Sequence, residues 1–195
     1  MQFEDTVQNM LATIWPVSAS PQSVLELEFR FGGLPRAQIE RARHQYLAMV
    51  KNAVVTRVDH RVAKFDDDLR GLQILDGCGQ AGAGDSGIRF ERKVELGRNR
   101  WPLYGGALNL DCVLSQEHPV VPPGDSARPR AVYNRHRACV AVQHSAWRVD
   151  FTVRDDHQGA GNVEVELVGG RDVNAGHGAR LASDVMDDLR QILRR

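Results

Sequence analysis

Apolar residues recur along this chain with two different periods, and the changes of period mark its elements. At 4–14, Val7, Met10, Leu11 and Ile14 fall on one helical face. A second helix is predicted from Pro35 to about Val54, where Ile39, Tyr46, Leu47 and Val50 share a face and Pro35 suits a first turn. A third is predicted over 178–193. There Leu181, Val185, Leu189 and Ile192 form a stripe, and the closing arginines complement the helix dipole. Between the helices the period shortens to two. Strands are predicted at 23–31, 54–58, 68–75, 88–96, 107–115, 131–142, 146–154 and 162–168, separated for the most part by Gly, Pro, Asp or Asn. The stretch DGCGQAGAGDSG at 76–87 reads as a flexible hairpin connection, because no Lys-Ser/Thr follows its glycines as a phosphate loop requires. The Pro-rich 118–130 reads as a second long loop.

No linker or repeat divides the pattern. A chain of 195 residues is long enough for one domain with a substantial core, so 1–195 is expected to fold as a unit. No apolar run approaches the ~20 residues of a membrane span, and the opening MQFEDTVQNMLATIW lacks a basic-then-apolar signal pattern. An intracellular protein with no membrane partner is expected. Cys78, Cys112 and Cys139 are too dispersed for a disulfide framework or a zinc knuckle. A cysteine phosphatase is excluded as well. It needs an arginine six positions after its nucleophile, where this chain has Gly84, His118 and Ser145. Basic and acidic residues balance at 25 each, so the protein is not built to coat nucleic acid, although a local basic pocket could grip a few phosphates.

Three short segments carry candidate chemistry. In Val24-Leu25-Glu26-Leu27-Glu28-Phe29-Arg30-Phe31 and in Val163-Glu164-Val165-Glu166-Leu167, alternation puts the acids on one face of each strand and apolar residues on the other. Taken singly, each is an ordinary strand with a solvated acidic face. If the two strands are neighbours, four carboxylates confront one another and repel unless a cation sits between them. Oxygen ligands of that kind suit Mg²⁺ or Mn²⁺. In the third segment, Arg135 and Arg137 share a face, as do Asp150 and Thr152 after them. Paired guanidiniums offer planar donors to phosphate oxygens, and an ion pair with Asp150 is the competing structural role. His136, between the arginines, points to the other face.

In that order the segments resemble the triphosphate tunnel metalloenzymes, and among them the RNA 5′-triphosphatases that prepare messenger RNA for capping in fungi, protozoa and large DNA viruses. ELEFRFG (26–32) resembles the first metal-binding strand of that family. Arg135-x-Arg137, followed by Asp150-x-Thr152, resembles its central motif, and VEVEL (163–167) its closing metal-binding strand. RFERKVEL (89–96) and VLSQE (113–117) resemble two intervening strands. The resemblance implies an α+β fold: an eight-stranded antiparallel β-barrel, the triphosphate tunnel, with a polar lumen and a few flanking helices.

It also implies roles. Glu26, Glu28 and Glu166 are expected to hold the metal, with Glu164 binding directly or through water. Arg135, Arg137, Lys93 and Arg70 are expected to bind phosphate, and Glu117 to orient the attacking water. Asp150 and Thr152 would buttress the basic residues, and Phe31 would support the first motif from behind. Asn162 stands where the family often has a third acid, and Arg135 where lysine is common. The expected reaction removes the γ-phosphate from the 5′-triphosphate end of nascent mRNA, and from nucleoside triphosphates when manganese is supplied. No Lys-x-Asp-Gly motif occurs, so a separate guanylyltransferase is the expected partner. The place of action would be the nucleus for a cellular protein, or the host cytoplasm or virion for a viral one. The alternatives are an inorganic or thiamine triphosphatase on the same scaffold, or a non-catalytic module binding 5′-triphosphate ends.

Overall fold

The computed structural model describes residues 24–66, 68–75, 87–142, 147–156, 160–167 and 175–194, together with Asp5 and Asn9. The helix expected at 4–14 and the glycine-rich connection at 76–87 lie outside the described residues, but for Asp5, Asn9 and Gly87. In chain order the elements are β1 (Val24–Pro35), α1 (Arg36–Met49), β2 (Ala53–Lys64), β3 (Leu69–Leu75), β4 (Arg89–Leu103), β5 (Leu108–Pro119), β6 (Ala131–Val142), β7 (Trp147–Arg154), β8 (Ala160–Leu167) and α2 (Ala175–Leu193). A single 3₁₀ turn at Tyr104–Gly106 joins β4 to β5. Each of the eight predicted strands is present.

The second helix ends earlier than its apolar stripe suggests. Val50 is already extended (φ −86°, ψ 134°), and Asn52 takes a left-handed turn at φ 57°. That conformation is one asparagine tolerates better than most side chains, and the β-branched Val54 and Val55 then continue as strand.

The strands close into a cylinder in the order β1-β5-β4-β3-β2-β6-β7-β8, and β8 returns to pair with β1. All eight pairings are antiparallel. The closing seam sets Glu28 opposite Glu166 and Arg30 opposite Glu164. Closure gives every strand a partner on both sides over at least part of its length, so no strand stands at the open edge of a sheet, the usual hazard of an antiparallel one.

The apolar core lies outside the cylinder, between its outer surface and the two helices. Leu27, Phe29 and Phe31 of β1, Leu110 of β5, Val163 and Val165 of β8, and Met186 and Leu189 of α2 are all buried there. Phe29 and Trp147 pack with ring centroids 5.6 Å apart, and Tyr46 of α1 meets Phe151 at 6.0 Å. Fully burying each such side chain stabilises the fold by roughly 1.5–3 kcal/mol. In an ordinary eight-stranded barrel the inside would be filled this way. With cohesion supplied from outside, the lumen is released for charge.

Gly161 shows how closely the layers approach. A Cβ there would stand 1.9 Å from the Thr152 carbonyl oxygen and 2.7 Å from Ile39 Cδ1 of α1. Backbone cannot yield as a flexible side chain can. Gly161→Ala is expected to lower unfolding free energy by about 3 kcal/mol, at the top of the overpacking range, as read by urea denaturation.

His136 lies on the outer face, as expected. Its Nδ1 is 3.0 Å from Asp59 and its Nε2 2.8 Å from Asp155. The hydrogen bond to Asp155, with Asp59 assisting, raises its pKa above the ordinary imidazole value. A raised folded-state pKa gives stability that is full below the unfolded value of about 6.5 and is lost as pH rises through the folded value. The melting temperature of wild type should therefore fall across that window. In a His136→Gln variant this component of the fall should be absent.

Candidate active site

Alternation along each strand decides which side chains enter the cylinder. They line a cavity of about 350 Å³ that contains Glu26 and Glu28 from β1, Arg70 from β3, Lys93 from β4, Glu117 from β5, Arg135 and Arg137 from β6, Thr152 from β7, and Glu164 and Glu166 from β8. Asp150 sits at the wall itself, fully buried. Phe31 is on the opposite face of β1, in the outer core behind Glu26 and Glu28.

Acids and bases interlock across this space. Lys93 Nζ is paired with Glu26, and lies 3.5 Å from Glu28 and 3.6 Å from Glu117. Arg70 is paired with Glu91 and donates to Glu117 at 2.5 Å. Arg30 is paired with Glu28 and donates through Nε to Glu164 at 2.8 Å. Arg137 is 3.1 Å from Asp150 and 3.6 Å from Glu164. Arg148 is 3.2 Å from Asp150 and 2.5 Å from Glu166. Asp150 therefore holds two guanidiniums at once, both facing the lumen.

The charges perturb one another. Burial and the neighbouring Glu164 push the Glu28 carboxyl up to about 7, and burial with Glu26 pushes Glu166 up to about 8. Glu117 is raised too, by burial and then by Glu26. Glu26 is held at about 2, because Lys93 outweighs the effect of its burial. Arg135 differs from the other bases. Its described polar contact is with His60, 3.4 Å from Nη2 to Nδ1, with no carboxylate among its described partners, and its Nε, like that of Arg137, is buried without a hydrogen-bond partner. Burial and the like charges of Arg137 and Arg70 lower its pKa to about 10. A half-buried cation with no carboxylate among its described partners is poised for an anion.

The sequence expectation is that four carboxylates gather around a cation. Among the described residues, no three acidic, histidine or cysteine side chains stand close enough together to hold a metal ion. Each acid is drawn onto a base instead, which answers the same repulsion in another way. The donor set nevertheless suits a hard divalent ion in kind. It consists of carboxylate oxygens from adjacent strands, and two of them are destabilised as anions by burial and by neighbouring carboxylates, Glu28 by Glu164 and Glu166 by Glu26.

Several residues in the cavity were missed in the sequence. Arg148 could have been found, since it continues the alternation of Asp150 and Thr152 in the inward direction. Glu91 likewise shares a face with Lys93. Arg30, at alternate spacing after Glu26-x-Glu28, was legible as a base on that face and also lines the cavity. His60 gives no local sign, because its partner is 75 residues away.

A closed eight-stranded cylinder with this charged interior is the triphosphate tunnel fold. The chain is similar to the Pct1 RNA triphosphatase of S. pombe, with TM-score 0.72 and 13% identity, covering 100% of this chain and 93% of that one. It is also similar to the RNA triphosphatase domain of the trifunctional mimivirus mRNA capping enzyme, with TM-score 0.60, 14% identity and coverage of 97% and 96%. A chain of the S. pombe Mediator head module shares the fold at TM-score 0.52 and 9% identity, covering 86% of this chain and 96% of that one. The barrel by itself therefore does not fix an activity, and the site must carry that argument. No protein-family model matches the sequence, and no curated protein is recognisably related to it by sequence. Among the described residues no helix is long and apolar enough to cross a membrane.

Proposed function

We propose that this protein is a metal-dependent RNA triphosphatase, which converts 5′-triphosphate RNA to 5′-diphosphate RNA as the first step of cap formation. The observation that carries the reading is Arg135 beside Arg137, half-buried in the cavity with the carboxylates of β1 and β8. A general anion site would have no use for that acidic wall, and a structural barrel would have no use for a guanidinium that no described carboxylate neutralises.

Water attacks the γ-phosphorus in line with the bridging oxygen. A new P–O bond forms, the bond to the β–γ bridge breaks, and the RNA leaves as its diphosphate. Arg135 and Arg137 hold the γ-phosphate and stabilise charge that develops in the transition state, with Lys93 and Arg70 assisting. Glu117, fixed between Arg70 and Lys93, accepts a hydrogen bond from the attacking water and orients it. Asp150 keeps Arg137 and Arg148 aimed inward. Glu26, Glu28 and Glu166, with Glu164, would hold Mg²⁺ or Mn²⁺ in exchange for their present ion pairs. When bound, the metal supplies charge neutralisation and polarises a phosphate oxygen.

Arg30 favours a second reading within the same chemistry, since a lumen base two positions after the Glu pair also suits inorganic or thiamine triphosphate. One assay separates the readings. Phosphate release is measured on γ-labelled triphosphate RNA, thiamine triphosphate, tripolyphosphate and a nucleoside triphosphate, with magnesium, with manganese and with chelator. The expected result is release from RNA with either metal, release from the nucleoside triphosphate with manganese, and none with chelator. Binding of triphosphate RNA without release under any condition would identify a non-catalytic module. With an active enzyme, the diphosphate end would next be used by a separate guanylyltransferase.

A further inference from the structure

We infer that His60 is a positioning residue for phosphate recognition, whose neutral imidazole accepts a hydrogen bond from Arg135 and holds that guanidinium in the lumen without cancelling its charge. The inference rests on the reading above that Arg135 meets the terminal phosphate.

In the ladder between β2 and β6, His60 stands directly opposite Arg135. The 3.4 Å contact joins Arg135 Nη2 to His60 Nδ1. A guanidinium has only donors, so Nδ1 must be a lone pair and the ring proton must sit on Nε2. A protonated ring would lose this bond and add a second positive charge. The surroundings favour the neutral form: burial acts first, then Arg135, Arg137 and Arg89, with Glu91 opposing, and the pKa falls to about 4.

Five other bases that frame the cavity are fixed by carboxylates: Arg30 by Glu28 and Glu164, Arg70 by Glu91 and Glu117, Lys93 by Glu26, Arg137 and Arg148 by Asp150. Such partners orient a cation but also neutralise it. An apolar residue at position 60 would leave Arg135 unneutralised and unanchored. A neutral acceptor gives orientation while leaving the full charge for phosphate, and imidazole opposite the guanidinium supplies it.

The test is a double-mutant cycle on the full chain, with steady-state phosphate release from triphosphate RNA and a melting temperature for every variant. His60→Leu is expected to lower kcat/KM about tenfold or more. His60→Asn, whose amide oxygen can take the place of Nδ1, should stay within about threefold of wild type. His60→Asp should lose at least as much as His60→Leu, because a carboxylate anchors Arg135 but neutralises it. In an Arg135→Met background, His60→Leu should cost nothing further. His60→Gln, which sets its oxygen too far out, is the second non-rescuing variant should His60→Leu fail to fold. Wild-type activity in His60→Leu, equal losses in the Leu and Asn variants, or an undiminished loss in the Arg135→Met background would each overturn the inference. Inactivity of wild type itself would instead overturn the proposed function.

Discussion

Glu28→Ala is expected to reduce phosphate release from triphosphate RNA by on the order of 10²–10³-fold while leaving the protein folded. Glu28 occupies the closing seam opposite Glu166, so it belongs to both the acidic wall and the proposed metal-binding set. Removing a buried carboxylate usually strands its partner. Here it does not. Arg30 keeps Glu164, and Lys93 keeps Glu26 and Glu117. The outer core is untouched, because Glu28 faces inward while Leu27 and Phe29 hold the strand from outside. Circular dichroism and the melting temperature should match wild type, and comparable losses are expected for Glu26→Ala, Glu166→Ala and Arg137→Ala. Near-normal turnover by a folded Glu28→Ala protein would remove the acidic wall from the mechanism.

Arg135→Met should show activity and stability moving in opposite directions. Turnover is expected to fall by on the order of 10²-fold, since one of the two γ-phosphate donors is gone. Stability should rise by about 1 kcal/mol, because a half-buried guanidinium near Arg137 and Arg70, with no described carboxylate partner, is replaced by an apolar chain of similar length. Urea unfolding and phosphate release on one preparation decide the matter. A loss of both would show that Arg135 belongs to the structural ion-pair set instead.

The strands and their inward faces were legible because a period of two is a local property. Glu26-x-Glu28, Arg135-x-Arg137 and Glu164-x-Glu166 declare a shared face without knowledge of any neighbour. Strand order is not local. That β5 lies between β1 and β4, and β6 beside β2, depends on closure, and the adjacency of β1 and β8 had to be assumed. The partners of the acids were hidden for the same reason: Lys93 reaches Glu26 across 67 positions, and Arg30 reaches Glu164 across 134. The early stop of α1 was hidden by Val50, whose apolar side chain continues the helical stripe while its backbone has already become extended.

The seam between β1 and β8 has a consequence for synthesis. A ribosome delivers Glu26 and Glu28 early and Glu164 and Glu166 more than a hundred residues later, so a growing chain holds half a site. Pairing of such remote segments is slow, since the loop between them must be ordered before any contact rewards it. On the proposed function, no partial product on the ribosome acts on a triphosphate, and competence arrives at once, when the eighth strand docks.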